Sequence, residues 1–240
     1  MQIKVFEVVD GIYRISVAPG DRFEFNHFLI ADERPVLVHT GRVHWFDQLK
    51  QQVANLVDLE EIAYIAFSHF EADECGSLNH WLRVAPRAVP LVNRVGKASI
   101  EDFSIRKPEI VRDGQKINLG KHELLVLETP HFPHNWDAML YFEEREGLLF
   151  ASDLGAHWGV GEPTAAEDLT EAVVEFQRQA RFMAEGRNLV QAVEKLETLN
   201  IRYLATQHGS TICGESIGRL LECLKAEFGC GRNKRIFSIS

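Results

Sequence analysis

Short apolar segments with a strand-like pattern occur in two groups along this chain, and helical segments follow each group. The first group lies within the first forty residues and consists of “IKVFEVV”, “IYRISV”, “FNHFLIAD” and “PVLVHT”. The second group consists of “QKINL”, “ELLVLET”, “AMLYFEE” and “GLLFAS”. Alternating apolar and polar residues between turn residues predict β-strands. Two groups of strands, each followed by helices, predict two sheets packed together with helices outside them.

Helical spacing marks the segments between and after these strands. In “HWFDQLKQQVANLV”, the apolar residues Trp45, Leu49, Val53 and Leu56 recur at intervals of three or four, and “GSLNHWLRV” also predicts a helix. Residues from about 167 to 199 are predicted to be mostly helical, with an interruption near Gly186. A strand at “RYLATQ” and a helix at “SIGRLLECLKAEF” follow. Because no linker or change in composition divides the chain, residues 1–240 are predicted to form one domain.

The composition argues against several kinds of partner and compartment. A formal net charge of −9 disfavours binding to the phosphates of nucleic acids, and the basic run “GRNKR” is expected to be a solvated tail. No segment resembles a signal peptide or a membrane span. The four cysteines form no CxxC pair or disulfide-like pattern. We therefore expect a cytoplasmic protein with free thiols that binds neither nucleic acid nor membrane.

Titratable side chains directly follow four of the predicted strands. The residues concerned are His69, Glu71, Asp73 and Glu74 after “IAYIAF”, His131 after “ELLVLET”, Asp153 after “GLLFAS” and His208 after “RYLATQ”. If these strands share one orientation in their sheets, the four loops converge at one edge, where functional residues concentrate. Imidazoles and carboxylates bind Fe, Zn or Mn without any thiolate. The pattern therefore predicts a metal site, and a carboxylate such as Asp153 can bridge two ions about 3.5–4 Å apart.

The order H-x-E-x-D, a single His, “SD” and then “HG” resembles the metallo-β-lactamase superfamily. The turns “NHFLI” and “VLVHTG” are also similar to that superfamily, in which an Asp usually stands at the position of His39. Hydrolases of the superfamily carry H-x-H-x-D-H, whereas Glu71 replaces the second His here, and this variant resembles the flavodiiron proteins. The segments “HFP”, “LLFASD”, “QARFMAEGRNLVQAVEKLETLNI” and “HGS” look like the same family. The resemblance covers nearly the whole chain.

This resemblance implies an α/β (α+β) fold, namely an αββα four-layer sandwich of metallo-β-lactamase type that holds two iron ions. One iron would be bound by His69, Glu71 and His131, and the other by Asp73 and His208. Asp153 would bridge them. Glu74 stands where the family usually has a His and is included as a further candidate ligand. No flavin is expected, because flavodiiron proteins carry it in a flavodoxin domain that would follow the last helix of this chain.

The resemblance also implies a function. Flavodiiron proteins reduce dioxygen or nitric oxide, and this chain would need an external redox protein as electron donor. Short relatives include oxygen-binding diiron proteins linked to chemotaxis and oxygen sensing, so an oxygen sensor with a signalling partner is also implied. A homodimer is expected on the same ground. The alternative is a binuclear zinc hydrolase, against which Glu71 argues because an additional carboxylate favours iron or manganese over zinc.

Several other residues adjoin the proposed ligands. Aromatic side chains that either wall a pocket or belong to the core are Phe70, Phe132, Trp136 and Trp158. His134 and His157 could donate hydrogen bonds near the metal, but we expect them to be ordinary surface or core histidines. Cys75 is expected to be a buried thiol that faces away from the site.

Overall fold

The computed structural model describes residues 1–181, 183 and 186–229, and both “GRNKR” and Cys230 lie outside them. The strands form two sheets. The first sheet contains β1 (Gln2–Val9), β2 (Ile12–Ala18), β3 (Phe25–Ile30), β4 (Val36–Val38), β5 (Tyr64–Ala66), β6 (Val89–Val92) and β7 (Glu109–Ile110). The second contains β8 (Lys116–Asn118), β9 (Glu123–Glu128), β10 (Met139–Glu143), β11 (Leu148–Ser152), β12 (Tyr203–Thr206) and β13 (Ile212–Cys213).

The helices lie between and after these strands. They are α1 (Phe46–Ala54), α2 (Ala72–Cys75), α3 (Leu78–Val84), α4 (Arg94–Ile100), α5 (Thr170–Ala180), α6 (Gly186–Glu197) and α7 (Ser216–Leu224). Short 3-10 turns cover Val43–Trp45 and Leu59–Glu61, and a π-helical turn covers Lys225–Gly229. None of the helices in the described part of the chain is long and apolar enough to cross a bilayer.

The connections between strands determine which pairs are parallel. Strands β1 to β4 pair antiparallel in chain order, whereas β4 to β7 pair parallel because helices α1 to α4 occupy the connections between them. In the second sheet the order is β13-β12-β11-β10-β9-β8. Only the β11–β12 pair is parallel there, and its connection carries α5 and α6.

Alternate residues of the central strands pack into different layers. Met139 and Tyr141 of β10 belong to the core between the two sheets, whereas Leu140 and Phe142 pack against the helices α5, α6 and α7. In the first sheet Val38 faces the other sheet, and Leu37 packs against α1 and α3. A strand that is buried on both faces has no polar face, which accounts for the continuous apolar runs in the sequence. The four layers are therefore helix, sheet, sheet and helix, as predicted.

The helical region between β11 and β12 is interrupted just before Gly186, close to the predicted position. It forms two helices, and α5 ends at Ala180, after which Arg181 has a left-handed conformation with φ of 57°. Residues 182, 184 and 185, which belong to the predicted interruption, lie outside the described residues.

The carboxyl ends of β5, β11 and β12 meet at one edge of the sandwich, where the two sheets are tied together. The backbone N–H of Met139 donates to the carbonyl of Ser68 at 2.9 Å. The Asn26 side chain donates to the carbonyls of Thr206 (2.9 Å) and Gly209 (2.8 Å). These bonds fix the loop after each strand relative to the others, so side chains from both sheets can form one site.

Candidate metal centre

Five of the seven predicted site residues lie together at this edge. His69 and Glu71 follow β5 in the turn that leads into α2, and Asp73 lies in the first turn of that helix. Asp153 follows β11, and His208 lies two residues beyond β12. The first sheet therefore supplies one half of the site and the second sheet the other half. The two remaining residues, His131 and Glu74, have different positions.

The first cluster of ligand atoms consists of His69, Glu71, His134 and Asp153, and these atoms all lie within 4.8 Å of one another. The Nε2 atom of His69 is 2.9 Å from Oε2 of Glu71 and 3.6 Å from Oδ2 of Asp153. His134 Nε2 is 3.0 Å from the same Asp153 oxygen and 3.4 Å from Oε2 of Glu71. Two imidazoles and two carboxylates thus face a common point.

A second cluster lies on the other side of Asp153. His208 Nε2 is 3.2 Å from Oδ1 of Asp153 and 3.4 Å from Oδ2 of Asp73. Asp153 therefore directs Oδ2 to the first cluster and Oδ1 to the second. All three side chains are at most 8% exposed.

The structure brings His134 into the site in place of His131. The β9–β10 turn holds His131 with φ of 64°, and its backbone N–H donates to the carbonyl of Asn135 at 2.8 Å. This turn buries Phe132 in the core and leaves the His131 side chain exposed, while His134 returns towards Asp153. Both histidines occupy one loop, and nothing in their spacing indicated which one faces the site.

Glu74 is neither exposed nor directed at the ligand clusters. Its Oε2 accepts the backbone N–H groups of Ser68 (2.7 Å) and His69 (3.1 Å), and its Oε1 accepts the Ser152 hydroxyl. It is 1% exposed and lies beside Nδ1 of His69, on the opposite side of the ring from Glu71. The geometry therefore differs from the expectation that Glu74 joins the ligands.

The rear nitrogen of His208 is also held. Its Nδ1 donates to the backbone carbonyl of Glu24 at 2.9 Å, so Nε2 is the nitrogen available to a metal ion beside Asp153 and Asp73. His157 braces this loop, because its Nδ1 donates to the Gly155 carbonyl and its Nε2 accepts the Ser210 N–H at 3.0 Å. His157 is thus a structural histidine, as expected.

The carboxylates impose a strongly negative environment on the three imidazoles. Burial by itself lowers the pKa of His69, but Glu74, Glu71 and Asp153 raise it to about 10. Burial likewise lowers the pKa of His208 and is outweighed by Asp153 and Asp73. In return, burial would raise the pKa of Asp153, yet His134 and His208 hold it well below its usual range. The carboxylates that stabilise the protonated imidazoles also create a favourable electrostatic potential for a metal cation.

Aromatic side chains surround the site unevenly. Phe70, Trp136 and Trp158 are 46%, 62% and 55% exposed, whereas Phe132 belongs to the core. Phe23 stacks on the ring of His208 with centroids 4.3 Å apart, and Phe25 meets the same ring edge-on at 4.9 Å. These two contacts could not be predicted from the sequence, because β3 and the turn before it lie far from His208 along the chain.

The donor set fits a pair of metal cations. Atoms that share an ion at about 2.0–2.2 Å lie roughly 3 Å apart, and the separations of 2.9–3.6 Å at this site are of that size. Three carboxylates and three imidazoles provide oxygen and nitrogen ligands without a thiolate, which suits iron or manganese. In the described part of the chain, His69, Glu71, His134 and Asp153 form the only group of three or more His, Cys, Asp or Glu residues whose ligand atoms all lie within 4.8 Å of one another.

The chain is similar to known proteins over most of its length. The model of a family described as ODP family beta lactamase matches residues 23–209. An uncharacterised protein of Methanocaldococcus jannaschii is 26% identical and is matched over 92% of this chain and 60% of its own length. The flavo-diiron protein FprA2 of Clostridium acetobutylicum is 23% identical, over 80% of this chain and 50% of that protein.

A solved structure shows the same fold. The flavodiiron protein from Giardia intestinalis superposes with a TM-score of 0.82 at 18% identity, over 95% of this chain and 60% of that one. This chain therefore spans 50% to 60% of the length of these three proteins.

Proposed function

Since this chain belongs to the ODP family of β-lactamase domains, we propose that it is a non-haem diiron protein that binds dioxygen or nitric oxide. Two findings support iron as the metal. A relative that matches 80% of this chain is named a flavo-diiron protein. The donor set, with three carboxylates, is also rich in oxygen.

The observation that carries this proposal is the position of Asp153 between the two ligand clusters. Its Oδ2 lies 3.0 Å from His134 Nε2, and its Oδ1 lies 3.2 Å from His208 Nε2. A carboxylate whose two oxygens face different clusters can bridge two ions and hold them close together. A site for a single ion would have no need of the second cluster.

In this proposal His69, Glu71 and His134 would hold one iron, Asp73 and His208 would hold the other, and Asp153 would be shared by both. Two ferrous ions so held would supply the electrons that pass to a bound dioxygen or nitric oxide. The chain itself fixes the imidazoles, since the Nδ1 atom of His208 is committed to a backbone carbonyl. Glu71, which is 47% exposed, is the ligand closest to solvent and therefore marks the side from which a small molecule enters.

We propose oxygen sensing as the role, with reduction only where an external redox protein supplies electrons. Complete reduction of dioxygen consumes more electrons than one ferrous pair holds, whereas binding consumes no external electrons. A signalling or redox protein is therefore the proposed partner. The free thiols Cys75, Cys213 and Cys223 are compatible with a reducing cytoplasm, which is the proposed location.

Metal analysis combined with optical spectroscopy tests this proposal. Protein expressed in iron-supplemented medium should contain two irons per chain. After anaerobic reduction, exposure to air or to nitric oxide should produce a new visible absorption band without added flavin. An unchanged spectrum in fully loaded protein would contradict gas binding, and two zinc ions with esterase activity would favour the hydrolase instead.

A further inference from the structure

A buried carboxylate occupies the rear of the site without facing the ligand clusters. Every polar neighbour of Glu74 is able to donate a hydrogen bond to it. The neighbours are the backbone N–H groups of Ser68 and His69, the Ser152 hydroxyl, the Nδ1 atom of His69 at 3.5 Å and the Nε2 atom of His39 at 3.4 Å. A carboxylate only accepts hydrogen bonds, so Glu74 determines the direction of each bond around it.

This direction determines which nitrogen of His69 carries a proton. Because Ser152 gives its hydroxyl hydrogen to Glu74, the Ser152 oxygen can only accept from its other neighbour, His69 Nδ1, which lies 3.4 Å away. The other atom near that nitrogen is the Glu74 oxygen, which is also an acceptor. His69 therefore keeps its proton on Nδ1. Nε2, which lies beside Glu71 and Asp153, is then the nitrogen whose lone pair would meet a metal ion.

We propose that Glu74 is the positioning residue for His69, acting through Ser152 to hold the imidazole with Nδ1 protonated and Nε2 available to metal. This inference rests on the proposed metal site. It gives His69 a different support from that of His208, whose Nδ1 is fixed by a neutral backbone carbonyl. A charged acceptor behind the ring makes Nε2 a stronger donor to a cation than a carbonyl does.

His39 completes the arrangement on the far side of Glu74. Its Nε2 lies 3.4 Å from Glu74 Oε2 and 3.3 Å from the Ser68 hydroxyl, and both side chains are buried. The next residue, Thr40, donates its backbone N–H to the carbonyl of Glu74 at 2.7 Å. The loop after β4 thus holds Glu74 from two directions.

The substitution Glu74→Gln tests this proposal because it alters the hydrogen-bond pattern at nearly constant size. If the Gln oxygen satisfies the two backbone N–H groups, its NH2 group faces Ser152 and donates to the hydroxyl oxygen. The hydroxyl hydrogen then turns to His69 Nδ1, which becomes an acceptor, and the ring proton moves to Nε2. We expect the affinity of the site for Zn²⁺ to fall about 10- to 100-fold.

The measurements are zinc titration and ¹⁵N NMR of the His69 ring in the zinc-loaded protein, since zinc is diamagnetic. The parent should show a protonated Nδ1 and a ligated Nε2, and Glu74→Gln should lose this pattern. Glu143→Gln is a matched control, because Glu143 also accepts one histidine nitrogen and two backbone N–H groups, but those of His122, Arg145 and Glu146. It should leave both His69 and zinc affinity unchanged.

Two outcomes overturn this inference, and they are distinguishable. A parent protein that binds no metal overturns the proposed function together with the role of Glu74. A Glu74→Gln variant that binds zinc like the parent, with His69 unchanged, overturns the role of Glu74 alone. If Glu74→Gln does not fold, Ser152→Ala decides, because it leaves the backbone contacts of Glu74 intact. Unchanged affinity and an unchanged His69 signal in that variant contradict the proposal.

Discussion

His131 and His134 belong to the same turn, yet only His134 reaches the carboxylates. Its Nε2 lies 3.0 Å from Asp153, whereas the His131 side chain is exposed. Their roles can therefore be separated by substitution, and the two variants form a matched pair within one loop.

Replacing His134 by Ala should lower the iron content to about one ion per chain or less, since it removes one of three nitrogen ligands. Replacing His131 by Ala should leave two irons bound. Metal analysis of both purified variants, with circular dichroism to confirm folding, checks this expectation. Equal iron content in the two variants would refute the assignment of His134.

The residue types of the site could be predicted from the sequence, but not all of their positions. His69, Asp153 and His208 each lie within three residues of the end of an apolar strand, so the strand restricts the position of the side chain. His134 lies several residues into a turn, where the path of the backbone decides which side chain returns to the site. Glu74 is near His69 in sequence, but it lies in the first turn of α2, which places its carboxylate beside Nδ1 of the imidazole and away from the metal ligands.

Among the elements, helix α7 contains a glycine with no evident packing role. Gly218 lies inside the helix, and a Cβ at this position would meet no atom within 4 Å. Gly218→Ala should therefore raise the free energy of unfolding by ~0.5–1 kcal/mol, because glycine loses more backbone entropy on folding. Urea denaturation followed by circular dichroism measures this change.

Gly209 provides the opposite case in the loop after β12. Its φ is +95°, and a Cβ there would lie 2.3 Å from the ring of His157. Gly209→Ala should lower the free energy of unfolding by more than about 1 kcal/mol, and it should disturb the adjacent His208. A fall in iron content is the second measurement. Equal stability of the Gly209 and Gly218 variants would contradict both expectations.

A buried pair at the edge of the second sheet should make stability depend on pH. The hydrogen bond from His122 Nδ1 to Glu143 (3.0 Å) raises the pKa of His122 above its usual 6.5. Burial would raise the pKa of Glu143, but His122 and the N–H of Glu146 lower it below 4.5. The contribution of His122 is lost as pH rises through its folded pKa, and that of Glu143 as pH falls through its own.

His122→Asn should therefore destabilise the protein most between about pH 4.5 and 6.5. We expect its effect on the free energy of unfolding to be about 1 kcal/mol larger at pH 5.5 than at pH 9. Chemical denaturation at the two pH values measures this difference, and the exposed His44→Asn serves as control. An effect of the same size at both pH values would show that the pair contributes no charge interaction.

Most of the helices and strands could be predicted from sequence patterns. In central strands such as β10, residues 139–142 are all apolar because both faces of the strand are buried, and such a run is easily recognised in the sequence. The interruption between α5 and α6 was predicted near Gly186, but the residue at which α5 ends was not. The end of α5 depends on the left-handed backbone at Arg181, and arginine is not a residue type that favours this conformation.

At the scale of the whole molecule, we predict a homodimer, on resemblance to flavodiiron proteins alone. Light scattering at micromolar concentrations should give twice the chain mass of 27.3 kDa. Repeating the measurement in high salt would show whether charge contributes to the association. A monomer mass over the whole concentration range would end this prediction.

The division of the ligands between the two sheets also has a consequence for protein synthesis. His69, Glu71 and Asp73 leave the ribosome with the first sheet, while Asp153 follows with β11 and His208 only after β12. A nascent chain in which β12 has not yet been synthesised therefore lacks His208. The second cluster is then incomplete, although Asp73 and Asp153 are already present. A metal ion held between Asp73, Asp153 and His208 could therefore bind only after β12 has been synthesised, much later than the first sheet that carries His69 and Glu71.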